Sequence, residues 1–245
     1  MVQPLFFTAI ARTLSVGQDY VLSGEEGKHA ATVKRLRAGE TIQLTDGTGI
    51  RVGANVSENL GSSLNLRITS VVDETLPELQ LTLVQALAKG DRDELAVQAA
   101  TELGATSVVP WQAARCISKW EGPKLAKGVA RWQTIVSEAA KQSLRVFTPK
   151  VQPAVTTEGL VGLISDFDTV FVLDPTSTIS LKSSLPISGR VAIVVGPEGG
   201  IDASELEQLS AAGAKLVHLG SGILRTSTAG LAAISAILAF GSSWD

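Results

Sequence analysis

The feature that most constrains this chain is a pair of short, continuously apolar runs, Thr169–Leu173 (TVFVL) and Val191–Val195 (VAIVV). Neither alternates polar with apolar residues, so neither suits a sheet with one wet face. Both need cover above and below, the condition of a parallel sheet between helices. The surrounding texture agrees. Leu79–Ala86 reads as a strand, Asp91–Leu103 as a helix and Thr106–Pro110 as a strand. Leu125–Gln142 follows as a long helix with Leu125, Val129, Trp132, Val136 and Ala140 on one stripe. Asp202-Ala203-Ser204-Glu205 is a capping-box-like helix start, Lys215–Leu219 a last strand and Thr226–Phe240 a last helix. An α/β domain with a mostly parallel sheet is therefore predicted over residues 79–245.

The first 75 residues read differently. Gly24–Arg37 has helical spacing, with His29, Val33 and Leu36 near one face. Thr41–Thr45, Ile50–Val56 and Leu64–Val72 alternate in the manner of strands, separated by Asp46-Gly47-Thr48-Gly49 and Asn59-Leu60-Gly61-Ser62, both hairpin signals. A small β-barrel domain over residues 1–75 is predicted, joined to the second domain by the polar Asp73–Glu78.

Composition narrows the function. The single Cys116 rules out an internal disulfide and suits a reducing, cytoplasmic setting. With His29 and His218 the only histidines, a Cys/His metal site is not expected, and no metal ligand is assigned. No apolar run reaches about 18 residues, so no membrane span is predicted. Net charge is only −3, but its distribution is uneven. Residues 81–150 hold ten Lys or Arg against six acids, and residues 151–245 four against nine. With the basic run Lys34-Arg35-Leu36-Arg37, this permits RNA contact, and equally suits solvated helix faces.

Two glycine-rich junctions carry the chemistry: Gly196-Pro197-Glu198-Gly199-Gly200 after one apolar strand, and Gly220-Ser221-Gly222-Ile223-Leu224-Arg225 after another. Loops at strand C-termini form the ligand crevice of an α/β sheet. The second loop places Arg where a dinucleotide loop needs its third Gly, and neither GxxxxGK[ST] nor GxSxG occurs. Hydride transfer, ATP hydrolysis and acyl transfer are disfavoured.

These loops resemble those of the SPOUT superfamily of S-adenosylmethionine-dependent RNA methyltransferases. Within it the chain is similar to the 16S ribosomal RNA uridine N3-methyltransferase family, the RsmE type. The resemblance runs through Pro4-Leu5-Phe6-Phe7, His29, Val33–Arg37, Asp46–Gly49, Gln85–Arg92, Gln98–Gly104, Pro110, Arg115-Cys116, Arg131–Gln142 and Arg145. Gly196–Gly200 and Leu224-Arg225-Thr226 are its most specific parts. It implies a PUA-like RNA-binding barrel at residues 1–75, a knotted methyltransferase domain with a trefoil knot at 79–245, and a homodimer that acts on the small ribosomal subunit. By analogy Leu173, Pro175, Gly196, Glu198, Gly199, Gly200, Leu219, Gly220, Ile223, Leu224, Thr226 and Thr228 hold S-adenosylmethionine.

In such a reaction the protein supplies alignment and charge stabilisation, and Arg225 suits the charge that develops on uracil O2 and O4. Arg225 could instead pair with an acid such as Glu198. Glu198 serves either as a base or as a holder of loop amides, and Thr226 and Thr228 either contact cofactor or cap the last helix. His218 reads as a core residue of an apolar strand, and His29, beside the basic run, as packed by default with RNA contact as the alternative. Candidate RNA contacts are Lys34, Arg35, Arg37, Arg115, Arg131, Lys141 and Arg145, each of which also reads as a solvated surface charge. Three departures from the family pattern stand out: Ser227 where an acid is common, Ser221-Gly222 for Pro-Arg, and Ser143-Leu144-Arg145 after the long helix. Alternatives are the same chemistry on transfer RNA or large-subunit RNA, and a non-catalytic assembly factor.

Overall fold

A computed structural model describes residues 2–241; residues 242–245, the end of the predicted second domain, lie outside the described residues. The described residues divide into two compact units, residues 2–76 with 140–148, and residues 77–139 with 149–241.

The first unit is built on β1 (Leu5–Phe7), β2 (Asp19–Leu22), β3 (Thr41–Thr45), β4 (Ile50–Asn59) and β5 (Leu64–Asp73), lying in the order β1-β3-β4-β5-β2. β1 is parallel to β3 and the other pairs are antiparallel. Alternation turns Ile50, Val52, Ala54 and Val56 inward from β4, and Leu64, Leu66 and Ile68 inward from β5. Each large aliphatic side chain so buried contributes roughly 1.5–3 kcal/mol. A hydroxyl pair, Thr8 with Tyr20 at 2.8 Å, links the two edges of the sheet.

The helix of this unit is shorter than its spacing predicts. It runs regularly over α1 (Gly24–Lys28), widens into a π turn at His29–Val33 and stops. The Leu36 amide reaches back to the Ala30 carbonyl at 3.2 Å while Arg35 takes a left-handed conformation, φ +54°. That is a helix-ending arrangement, which glycine usually supplies. Val33 consequently faces solvent and does not share a face with Leu36.

Residues 140–148 belong with this unit, an excursion that a division at residues 75–79 does not register. Thr48 bridges Phe147, Arg51 donates to the Leu144 carbonyl at 3.2 Å, and Lys141 pairs with Glu26 at 2.7 Å.

The second unit contains β6 (Gln80–Ala86), α2 (Arg92–Leu103), β7 (Ser107–Gln112), most of α3 (Pro123–Gln142), β8 (Lys150–Val151), β9 (Val155–Thr156), α4 (Thr157–Leu163), β10 (Thr169–Leu173), β11 (Arg190–Val195), α5 (Ala203–Ala211), β12 (Lys215–Val217) and α6 (Thr226–Phe240). The sheet is parallel throughout, ordered β12-β10-β11-β6-β7-β8, with β9 also on β7. Both apolar runs that led the sequence reading lie inside it, adjacent and buried. One face packs Val84, Ala192 and Val194 with Trp132, Val136, Leu160 and Leu209 from α3, α4 and α5. The other packs Leu83, Ile193 and Val195 with Ala96 and Ala100 of α2 and Ile234 and Ile237 of α6. α6 lies close on the sheet, where a Cβ at Gly230 would stand 2.8 Å from Leu83 Cδ1. Leu125, predicted on the buried stripe of α3, is exposed because the first turn of that helix extends past the core. Among the described residues no helix is long and apolar enough to cross a membrane.

Candidate active site

Strands β12, β10 and β11 are neighbours and parallel, so their C-terminal loops leave the sheet on the same side. The three loops enclose a cavity of about 590 Å³. Leu173, Pro175, Gly196, Glu198, Gly200, Leu219, Gly220, Ile223, Leu224, Thr226 and Arg225 all line it. Gly199 and Thr228 do not. Gly199 offers its carbonyl to Arg115 at 3.3 Å, and the Thr228 hydroxyl donates to the Arg225 carbonyl at 3.3 Å in the first turn of α6.

Each loop has its own local device. After β10, the Asp174 amide donates to the Val217 carbonyl at 2.9 Å, while its buried carboxylate accepts from the Thr176 amide at 3.0 Å and hydroxyl at 2.8 Å. This Asx turn swings Pro175 across the opening. After β11, the Gly200 amide closes a turn on the Pro197 carbonyl at 2.9 Å. A Cβ at Gly196 would lie 2.6 Å from Ile201 Cγ1, so only glycine fits where the loop folds against itself. After β12, His218 Nδ1 accepts the Gly220 amide at 3.0 Å and fixes the last loop at its root.

The loops are tied to the body of the unit by charge. Glu198 accepts from the Lys89 amide at 3.1 Å and from Arg92 Nη1 at 3.0 Å. Burial pushes its carboxyl upward, but hydrogen bonds from its own amide, the Lys89 amide and Arg92 outweigh that and hold it below the usual carboxylate range. Arg115 donates to Asp202 at 2.9 Å. Asp202 caps α5 through the Ser204 amide at 3.0 Å, chiefly for which its carboxyl is held low, and Glu205 completes the capping box. Thr226, buried at the start of α6, donates to the Gly196 carbonyl at 2.8 Å and accepts from Gln85 Nε2 at 2.9 Å. The Thr226 hydroxyl thus joins the β11 loop, β6 and α6.

At the mouth stand Ile223, 85% exposed, Leu224 and Arg225. Arg225 makes no ion pair among the described residues; the partner of Glu198 is Arg92. The alternative that Arg225 pairs with Glu198 is therefore set aside. His218, read from sequence as a core residue, lines the cavity half-exposed, because β12 is the sheet edge and ends at Val217. Sequence reasoning also missed roles for Thr176, Arg92, Ile201 and Leu206, all of which line the cavity. Asp-Pro-Thr after an apolar strand was a legible turn signal; nothing local marked Arg92 as the partner of Glu198.

The basic candidates scatter. Lys34, Arg35 and Arg37 are exposed on the first unit. Arg145 is half-buried in that unit, and burial lowers its pKa. Arg131 pairs with Glu94 through two hydrogen bonds, and Arg115 lies at the cavity, engaged as above.

A parallel sheet whose edge loops fold over an apolar cavity rich in backbone groups defines an α/β enzyme domain that holds a small molecule at its strand ends. Comparison with known proteins is specific: the model of the RNA methyltransferase domain matches residues 75–238, and that of the RNA methyltransferase PUA domain matches residues 22–59. The chain belongs to this family of RNA methyltransferases. It is 40% identical over 252 residues to the ribosomal RNA small subunit methyltransferase E of Mycobacterium bovis, covering 100% of this chain and 95% of that protein. Against the protein of the same name from Bacillus subtilis, identity is 33% over 246 residues, covering 96% and 95%. The crystal structure of the Neisseria gonorrhoeae methyltransferase E bound to S-adenosylmethionine superposes with a TM-score of 0.85 at 33% identity, covering 97% and 98% of the two chains.

Proposed function

We propose that this chain transfers a methyl group from S-adenosylmethionine to N3 of a uridine in 16S ribosomal RNA, within the assembled or assembling small subunit. The observation that carries the reading is the single cavity built by three strand-end loops in a chain of this family. Its volume of about 590 Å³ suits a cofactor-sized ligand. Leu173, Ile201, Leu206 and Leu219 supply an apolar slot for a purine, and the glycine turns bring bare backbone to its edge. Asp174 places a carboxylate beside a ligand that is cationic at its sulfonium.

When bound, S-adenosylmethionine supplies an electrophilic methyl group, so no side chain need act as a nucleophile. The task left to the protein is to place the base and stabilise the charge it develops on losing the N3 proton. Arg225, at the mouth and without an ion-pair partner among the described residues, is assigned to O2 or O4 of the uracil. Neither nearby acid is assigned as base. Asp174 is occupied by Thr176, Glu198 accepts from Lys89 and Arg92 and its lowered pKa makes it a weak base, and position 227 is a buried serine. Solvent is the proposed proton acceptor.

Three further readings belong with this one. The return of the chain from β12 to α6 is read as threading through the segment that follows β10, making the trefoil knot; the pairing of Ser180 with His218 beside that path supports it. Two copies are read as pairing into a homodimer, and the cytoplasm as the place of action. Residues 1–75 are read as the RNA-docking domain, with Lys34, Arg35 and Arg37 as its contacts.

The test is methyl transfer from labelled S-adenosylmethionine to small subunits, naked small-subunit RNA and transfer RNA, with the labelled nucleoside identified by mass spectrometry. The expected product is 3-methyluridine from small-subunit substrates. Label in another nucleoside or another RNA would overturn the target, and absence of cofactor binding would overturn the chemistry.

A further inference from the structure

A second, smaller cavity of about 190 Å³ lies wholly within the first unit. Its lining includes the apolar Leu5, Phe6 and Leu144 and the polar His29, Lys34, Lys141 and Gln142. Taking roughly 30 Å³ per liquid water, the space holds about six waters, enough for one planar ring and far short of a whole cofactor.

Two backbone features meet there. Arg35 and Leu144, at φ +54° and +59°, are the only non-glycine residues with positive φ among the described residues. One directly follows a lining residue and the other is itself a lining residue. Each ends a helix in a conformation that costs a non-glycine side chain free energy, and such outliers cluster where ligands are held. The π turn at His29–Val33, of a kind frequent at functional sites, carries His29 into the cavity and delivers Lys34 to its rim. Its closing bond is the Lys34 amide to the His29 carbonyl at 2.9 Å.

The side chains suit one ligand chemistry. His29 meets Phe6 edge to face, centroids 6.1 Å apart, and its ring nitrogens make no hydrogen bond among the described residues. An aromatic surface with an unspent donor and acceptor is what recognises an unstacked base. Lys141 is held by Glu26 at 2.7 Å, so the pair carries no net charge, and the exposed Lys34 supplies the positive charge at the rim.

We infer that this cavity receives one nucleotide from a single-stranded segment of the substrate RNA, with the base against His29 and its phosphate on Lys34. The inference rests on RNA being the substrate and on the first unit docking it through Lys34, and it adds a cavity there that takes a base against His29.

The test uses the full chain and a short, labelled single-stranded RNA, compared with a duplex of the same sequence, by fluorescence anisotropy over a range of salt. His29→Ala is expected to weaken single-strand binding by roughly ten-fold without changing the salt slope or duplex binding. Lys34→Gln is expected to lower the slope of log affinity against log salt by about 0.7, the loss of one phosphate contact on a single strand. Calorimetric affinity for S-adenosylmethionine should match wild type in both. Lys34 lies on the surface, so its variant stays readable even if His29→Ala is less stable. Wild-type binding and salt slope in both variants, from a protein that still methylates RNA, would overturn the site and the assignment of Lys34 as an RNA contact, and leave the proposed methyl transfer standing. A wild-type protein that binds no RNA would overturn both.

Discussion

Replacing Thr226 with valine tests how the cofactor cavity is held together. Valine matches threonine in shape, so the change removes a hydroxyl and little else. That hydroxyl is buried, donates to the Gly196 carbonyl at 2.8 Å and accepts from Gln85 Nε2 at 2.9 Å. In the variant the Gly196 carbonyl, half-buried at the cavity, loses its donor, at a cost of about 0.5–1.5 kcal/mol for a lost hydrogen bond that water can partly replace. Gln85 keeps only its bond to the Ala86 carbonyl at 3.1 Å, adding about 0.5–1.5 kcal/mol. Rotating the Gln85 amide brings no relief. Its Oε1 is already buried without a partner, and would then face the Ala86 carbonyl. The expected destabilisation is therefore about 1–3 kcal/mol, read as a lower urea midpoint at unchanged m. Cofactor affinity, measured by calorimetry, should fall as well, because the β11 loop loses its anchor to β6 and α6. Thr226→Ser keeps the hydroxyl and should stay within about 1 kcal/mol of wild type, since it gives up one methyl group. A valine variant as stable as wild type, or a serine variant as damaged as valine, would refute the reasoning.

Three other outcomes are expected. Arg225→Ala should lower turnover by at least ten-fold while leaving cofactor affinity within about two-fold, of the order found for lost charge stabilisation; unchanged turnover in the methyl-transfer assay would remove Arg225 from the mechanism. Because the Glu198 carboxyl is held low in the folded chain, its tie to Lys89 and Arg92 is complete above the ordinary carboxylate pKa and is lost as pH falls through the lower, folded value. Cofactor affinity should decline once acidification passes below the ordinary carboxylate range, and Glu198→Gln should flatten that part of the profile, as calorimetry across pH would check. Cys116 is buried, and burial pushes its thiol up to about 11. It should resist a disulfide reagent at mildly alkaline pH in the folded chain and react at once in denaturant, which absorbance of the released thiol would record.

Much of the second unit was legible because its information is local. A run such as Val191–Val195 states its own environment, since five apolar residues in succession can be satisfied only between two layers. Asp202 and Glu205 likewise mark a helix start through bonds spanning three residues. The glycine turns at Gly196 and Gly220 announced loops at strand ends. What they could not announce was which strands are neighbours, and the cavity exists only because β12, β10 and β11 are adjacent although β11 falls between the other two in sequence.

The misreadings of His218, Glu198 and residues 140–148 share a cause: each depends on strands or side chains distant in sequence. His218 looked like a core residue because the preceding strand is apolar. Its exposure follows from β12 lying at the sheet edge, a property of strand order rather than of the strand. Glu198 had no visible partner, since Arg92 lies 106 residues earlier. Residues 140–148 looked like the tail of a methyltransferase helix, but their role is set by pairing with Thr48, Arg51 and Glu26, 93 residues away for Arg51 and 115 for Glu26. That last case bears on function. An excursion joined to the first unit by hydrogen bonds and an ion pair also supplies Leu144 and Lys141 to the small cavity there. The proposed nucleotide site is thus assembled from two segments that sequence assigns to different domains. Neither segment read alone carries the aromatic wall, the apolar lining and the charged rim together.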